Sequence, residues 1–340
     1  MKEWRKRMKN RYNTAKTAGL VFLVIVGLFI VIQAASSLYP FGEKSNLLWD
    51  EEIQYVDYFA FYRDVLLGKA SIAYSFSKSL GGSLVALFGY YLGCPLNLLV
   101  VFFSNEQLPA FLFGLTAAKL GLAGVTACVF LRRRFPEITL LMTAMLSVAY
   151  GLMQYSMLQL SNIMFLDGVI LLPLLLLAVY EFVSRDKKLW LFLAVLFSIA
   201  INWYTGYMIG LFSVIYYFYE RILKIQKISP GELKDFVRDT LRCGLVMVFG
   251  LLGSCAVFYP VFRGLQKGKK AFDPSIFYFD TYGSFSDVFR GFAVGNIAPT
   301  VSLYCGLLFL GFFAYYFFAK KVCIREKIMS LVVTVFLFAS

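Results

Sequence analysis

The chain has 340 residues, 60% of them hydrophobic, with a mean hydropathy of +0.71. Soluble domains run to about half apolar, so this composition excludes a soluble enzyme and points to a polytopic membrane protein. The net charge of +13 comes without a single histidine, which removes His general bases, Ser–His and Cys–His nucleophile pairs and His-ligated metals.

Proton chemistry must therefore use Asp, Glu, Tyr or Lys. The basic residues sit in short clusters between apolar runs, the positive-inside pattern of a membrane protein rather than a nucleic-acid surface. The six cysteines (Cys94, Cys128, Cys243, Cys255, Cys305, Cys323) are scattered singly, with no CxxC. Packing cysteines are the plain reading, not a zinc site or a disulfide framework.

Seven basic residues precede the first apolar run, about Thr17 to Leu38. A signal peptide has a similar start but a shorter apolar core, so this run reads as a retained span with its N-terminus inside. Tyr39-Pro40-Phe41-Gly42 ends it. Five carboxylates follow within fifteen residues: Asp50, Glu51, Glu52, Asp57 and Asp64. The spacing predicts an amphipathic helix at the interface, with Ile53, Val56, Phe59, Ala60 and Tyr62 on or near one face.

Ser79–Phe103 is apolar but interrupted by Gly81-Gly82, Gly89, Gly93 and Pro95. If it crossed, Arg132-Arg133-Arg134 would end up outside, against the positive-inside rule. It is therefore read as re-entrant or interfacial, within an outer loop over 39–107.

Leu108–Leu131 then goes inward, Ile138–Tyr155 returns, and Phe165–Val183 goes in to Arg185, Lys187 and Lys188. Leu189–Glu220 has basic residues at both ends, so it must be a hairpin of two short passes. Its turn, Asn202-Trp203-Tyr204-Thr205-Gly206-Tyr207, is expected at a cavity floor. Residues 221–242 read as a cytoplasmic basic segment with a surface helix opening at Ser229-Pro230-Gly231-Glu232. Leu241–Phe262 goes outward, 263–300 is an outer loop, and Val301–Ala319 returns. The last run, Ile328–Ser340, is too short to cross, and the chain reads as truncated there. This topology places 23 of the 33 Lys/Arg inside. The whole is one transmembrane domain over 1–340.

Asp50, at the outer surface, can act as a general base, or ligate a divalent cation with Glu51 or Glu52. The alternative is a solvated loop acid. Asp167 stands at the start of an apolar helix, where an acid is either functional or favoured by the helix dipole. Lys119 is intramembrane: it holds a lipid phosphate, snorkels, or pairs with an Asp. Arg63 has the same choice between a phosphate and a neighbouring carboxylate. The Asn202–Tyr207 turn offers amide, hydroxyl and aromatic groups for a sugar.

The ordered pieces Asp50-x-x-x-Gln54-Tyr55 with Phe59, Arg63 and Gly68, Tyr74-Ser75-Phe76, Tyr90-Tyr91 and Pro95-x-Asn97 form a pattern. It continues with Phe165-Leu166-Asp167, Leu172-Pro173-Leu174, Asn202-Trp203-Tyr204-x-Gly206-Tyr207-Met208 and Leu303-Tyr304-Cys305-Gly306. The pattern resembles the YfhO family of bacterial membrane proteins over about 40–325, with Phe165-Leu166 where that family usually has Trp before the Asp. The resemblance implies an all-α, GT-C-like transmembrane bundle. It further implies transfer of a sugar from a polyprenyl-phosphate carrier to an extracellular polymer of teichoic or lipoteichoic acid type. On that expectation Asp50 is the catalytic base. Arg63 and Lys119 hold the carrier phosphate, and Gln54, Tyr55, Asp167, Asn202, Tyr204 and Tyr207 shape the sugar pocket. The rival expectation is a transporter or flippase of lipid-linked sugars, whose intramembrane charges would form a path.

Overall fold

A backbone without water to bond to must satisfy itself, and helices do so within one segment. Apart from two isolated backbone bridges, Leu38 with Lys44 and Ser75 with Gly82, the regular structure of the described residues is helical. The computed structural model describes residues 2–76, 81–225, 229–268 and 307–339. The principal helices are α1 (Lys2–Ala35), α2 (Val56–Leu66), α3 (Leu108–Arg134), α4 (Leu140–Gly151), α5 (Phe165–Arg185), α6 (Lys188–Ile201), α7 (Trp203–Lys224), α8 (Pro230–Gly253), α9 (Cys255–Gly268), α10 (Leu307–Phe318) and α11 (Ile324–Ala339). The chain is an all-α polytopic membrane protein. Four helical stretches are long and apolar enough to cross a bilayer: Tyr12–Ala35, Asn105–Arg134, Leu140–Ser161 and Phe165–Arg185.

α3 is the central post, and α1, α4 and α5 pack against it. The close fit comes from small residues, as expected where helices meet in lipid. A Cβ at Gly121 would stand 2.5 Å from the Phe22 ring, and one at Gly124 would run into Ile25. Asn46 donates to the Pro109 carbonyl, 3.2 Å away, and ties the loop after α1 to the start of α3. The start of α3 thus marks one end of the bundle, near Asp50. The other end carries Arg132, Arg133 and Arg134 from α3, Arg185 from α5, and Arg221 and Lys224 from α7.

The interfacial helix expected after the first span is there as a π turn, Glu51–Tyr55, running into α2. Its buried stripe differs from the sequence reading. Glu51, Tyr55, Phe59 and Tyr62 face in, while Ile53 is exposed. Those four recur at i, i+4, i+8 and i+11, a truer helical stripe than one through Ile53. Gly68, at φ +73, follows α2 in the left-handed conformation that ends helices.

The Gly/Pro-interrupted run is a bent pair, Val85–Leu92 and Pro95–Phe102, turned through 99°. A bend of that size fits a re-entrant loop and a broken span alike. It is pinned at the corner, because Gly93 lies so close to the Ile201 backbone that a Cβ there would be 2.5 Å from its carbonyl oxygen.

α6 and α7 form the expected hairpin, and α6, at 14 residues, is about 21 Å long. The turn is tighter than expected. Asn202 alone separates the helices, and Trp203–Tyr207 already belongs to α7. A second correction concerns 221–242, which is not a separate surface segment. Ser229 caps α8 by accepting the Glu232 N–H, and α8 continues unbroken to Gly253 before a 74° bend into α9. The amphipathic start and the apolar span are one helix. The outer loop expected at 263–300 is helical at its start, where 263–268 end α9; its remainder and the Leu303–Gly306 motif lie outside the described residues.

Candidate functional site

Asp50 is presented by a turn that closes on itself. The Glu51 N–H donates to the Leu48 carbonyl at 3.0 Å, and the Leu48 N–H donates back to Glu51 Oε2 at 3.3 Å. Between them Trp49 is held at φ +51, a conformation bulky residues rarely adopt. The turn sends neighbouring carboxylates in opposite directions. Asp50 stays half-exposed, while Glu51 is 5% exposed. Burial pushes the Glu51 carboxyl up to about 7, against a smaller pull downward from the Leu48 N–H. Gln54 donates to Asp50 Oδ1 at 3.2 Å, and the Tyr58 hydroxyl donates to Gln54 Oε1 at 3.2 Å.

A wall of aromatic rings runs from Asp50 into the bundle. Tyr55, Tyr58, Tyr90 and Tyr91 all lie within electrostatic range of the Asp50 carboxylate. Tyr91 meets Tyr55 at 5.4 Å, Tyr58 at 5.0 Å and Tyr90 at 4.6 Å between ring centroids. Tyr90 continues the wall to Tyr204 at 5.7 Å and Trp203 at 6.0 Å. Burial, reinforced by the negative charge of Asp50, raises the Tyr55 and Tyr58 hydroxyls above their ordinary range. They remain protonated donors at neutral pH.

Asn202 holds the wall together. Its amide donates to the carbonyls of Tyr90 and Met164, at 3.0 and 3.1 Å. Its carbonyl accepts the N–H groups of Tyr204 and Thr205, at 3.1 and 3.0 Å. The side chain is fully buried with both ends engaged, so Asn202 is a clamp joining the bent pair, α5 and α7 rather than a free substrate contact. The Tyr55 hydroxyl meets the Met164 sulfur on the same side.

The intramembrane charges sit elsewhere. Lys119 Nζ lies 2.9 Å from Asp167 Oδ1, and the two side chains are 1% and 3% exposed. Lys119 also donates to the Ile163 carbonyl at 3.0 Å. Neither residue lines an open cavity. The expectations that Lys119 holds a phosphate and that Asp167 faces a sugar both meet this ion pair, which spends each charge on the other. Arg63 is thirteen residues from Asp50, about 20 Å along the helix. It donates from Nε to the Phe103 carbonyl at 2.6 Å and approaches Asp64 at 3.8 Å. It does not join the Asp50 rim. Tyr207 is exposed, and no ring contact ties it to the wall among the described residues. Of the residues named from sequence, the structure brings together Asp50, Gln54, Tyr55, Asn202 and Tyr204.

The sequence matches the bacterial membrane protein YfhO family over residues 20–340. The chain belongs to that family. No curated protein and no solved structure matches it. In this YfhO chain four of the quoted motifs share one end of the bundle: the Asp50 turn, Tyr90-Tyr91, the start of α5 and the Asn202 turn meet there. Sequence reasoning missed three contributors. Tyr58 and Tyr91 flank Asp50, and only Tyr91 fell within a quoted motif, without a role. Glu51 entered the sequence reading only as a candidate cation ligand beside Asp50, whereas the structure buries it. Its signal was available, since it stands one helical step before Tyr55 on the stripe through Phe59 and Tyr62. The described residues hold no group of three His, Cys, Asp or Glu that could bind a metal ion.

Proposed function

We propose that this YfhO-family protein is a membrane glycosyltransferase. In this reading it moves a sugar from a polyprenyl-phosphate carrier to a hydroxyl of an extracellular envelope polymer of teichoic or lipoteichoic acid type, with inversion. The observation that supports it is a half-exposed carboxylate set into a wall of aromatic rings, its side-chain partner among the described residues a neutral glutamine. Aromatic faces suit the apolar faces of sugar rings, and phenol hydroxyls suit their oxygens.

Asp50 takes the proton of the acceptor hydroxyl as that oxygen attacks the anomeric carbon. The bond from that carbon to the carrier phosphate breaks, and the phosphate leaves with the electron pair. Gln54, itself oriented by Tyr58, fixes the carboxylate. Protonated tyrosines along the wall supply hydrogen bonds to the sugar or the departing phosphate. Arg63 and Lys119 are not placed for that task. A divalent cation at Asp50 would need the carrier phosphate as its second anionic ligand. In this reading the Asp50 end faces outside the cell membrane, the orientation that the positive-inside rule favours.

A transporter or flippase is the competing reading. It requires charges available along a path, whereas Lys119 and Asp167 are sealed against each other. The test uses the protein in liposomes with labelled polyprenyl-phosphate sugar and a polymer acceptor. The proposal expects transfer by the wild type and its loss in Asp50→Asn. Transfer at an unchanged rate in the variant would remove Asp50 from the chemistry. Translocation of labelled lipid without transfer would favour the flippase.

A further inference from the structure

Far from Asp50, α3, α4 and α5 enclose a cavity of about 310 Å³. Its origin is Pro173, in the interior of α5. Proline lacks the N–H that would bond to the Val169 carbonyl, and its ring keeps the turn from closing. The Tyr150 hydroxyl donates to that carbonyl at 2.8 Å. The one side chain in the lining with a polar group is thus already committed. The rest of the wall is hydrocarbon, including Phe130, Leu131, Leu146, Met153, Leu172 and Leu176. Those six are only half-buried, so the cavity opens to the outside of the bundle.

An apolar cavity stays dry, and this one has room for about ten water-sized volumes. Left empty, its walls would lose their dispersion contacts. In a bilayer, the material that meets such an opening is hydrocarbon. The charge next to it is mostly positive. Leu131 lines the cavity and Arg132–Arg134 follow at once. Arg132 donates to the Ile138 carbonyl at 2.7 Å, and Arg134 lies over the Tyr180 ring and pairs with Glu220 at 2.6 Å. At this end Glu181 is shared by three cations: Arg185 at 3.1 Å, Lys187 at 3.1 Å and Arg133 at 3.9 Å. Arg133, the most distant, is 47% exposed.

We propose that this is a binding site for one anionic phospholipid. One acyl chain fills the Pro173 cavity, and the phosphate lies at the exposed Arg133 near the end of α3. The site is independent of the sugar-transfer reading and lies toward the opposite end of the bundle from Asp50.

The test is native mass spectrometry on the protein released from vesicles of equal phosphatidylglycerol and phosphatidylcholine. The wild type should retain phosphatidylglycerol about tenfold over phosphatidylcholine, the scale of a few basic side chains at a lipid surface. Leu146→Trp, which fills the cavity, should lower retention of both lipids about tenfold, one loss of about 1.4 kcal/mol. Leu176→Phe, from the facing wall, reads the same way if the first variant does not fold. Arg133→Gln should keep a bound lipid but bring the two headgroups to parity. Equal retention in the wild type and the filled variants overturns the site. So does a wild type that holds both headgroups equally. A lipid-free dimer that the filled variants split into monomers would instead assign the cavity to a second copy, and would also overturn it.

Discussion

Asp50 and the Lys119–Asp167 pair hold charge in opposite ways, although only a thin layer around Tyr55 and Met164 lies between them. Lys119 and Asp167 are each almost wholly inaccessible and 2.9 Å apart. Taking either charge out of water alone costs several kcal/mol, so each exists because the other does. Asp50 is half-exposed, and its side chain accepts a hydrogen bond from the neutral Gln54. An ionisable residue near a membrane becomes reactive or structural according to what its neighbours leave unspent.

The largest expected effect breaks the buried half of this comparison. Lys119→Met leaves Asp167 uncompensated and should cost about 3–5 kcal/mol, seen as a collapse of monodisperse yield and thermal stability in detergent. Adding Asp167→Leu should restore most of it, since an apolar pair replaces an ionic one at little cost. A single variant as stable as the wild type would show that the pair is not what holds α3 to α5.

Glu51 sharpens the comparison from within the Asp50 turn. Its carboxyl sits at about 7 in the folded protein against 4.5 as its ordinary value. The folded state therefore binds more protons than the unfolded state between those values, and stability falls as pH rises from about 4.5 to about 7, then levels off. The full span is about 3 kcal/mol. Thermal scans from pH 5 to pH 8 should show this decline, and Glu51→Gln should flatten it and be the more stable form at pH 8. A wild-type profile that rises with pH over this window would contradict the buried position of Glu51.

Asp50→Asn probes the reactive half. Transfer should fall by about a hundredfold or more, the usual share of a general base. Stability should change by less than about 1 kcal/mol, because one hydrogen bond to Gln54 is at stake. The smallest effect belongs to Tyr207→Ala. An exposed side chain outside the aromatic wall should alter transfer and stability by under about 0.5 kcal/mol.

Much of the fold was legible in sequence because the bilayer leaves few options. Apolar length gave the spans, and positive-inside parity gave the bent pair and the α6–α7 hairpin. The breaks were harder. The α6–α7 turn narrowed to Asn202 because its side chain caps α7 and lets the helix begin at once. The start of the fifth apolar span merged with the helix opening at Pro230 because nothing between 230 and 253 breaks the helix, whereas Ser254 follows a glycine at the bend. At the site, residue type and position singled out Asp50, and the family resemblance added Gln54 and Tyr55, which lie close to it in sequence. Arg63 was grouped with them on nearness along the chain, but a helix carries thirteen residues about 20 Å.

The sequence by itself determined the class of protein, the all-α architecture and the end of the bundle at which its acids cluster, because hydropathy and charge act locally along the chain. Only the tertiary structure decided how each charge is spent. Lys119 and Asp167 stand 48 positions apart, and nothing in either helix announces that they meet. Asp50 and Glu51 are adjacent and chemically alike, and a single turn through Trp49 sends one to solvent and the other into the core. Burial and partnership are properties of position in space, and those two quantities separate an accessible carboxylate from a buried one.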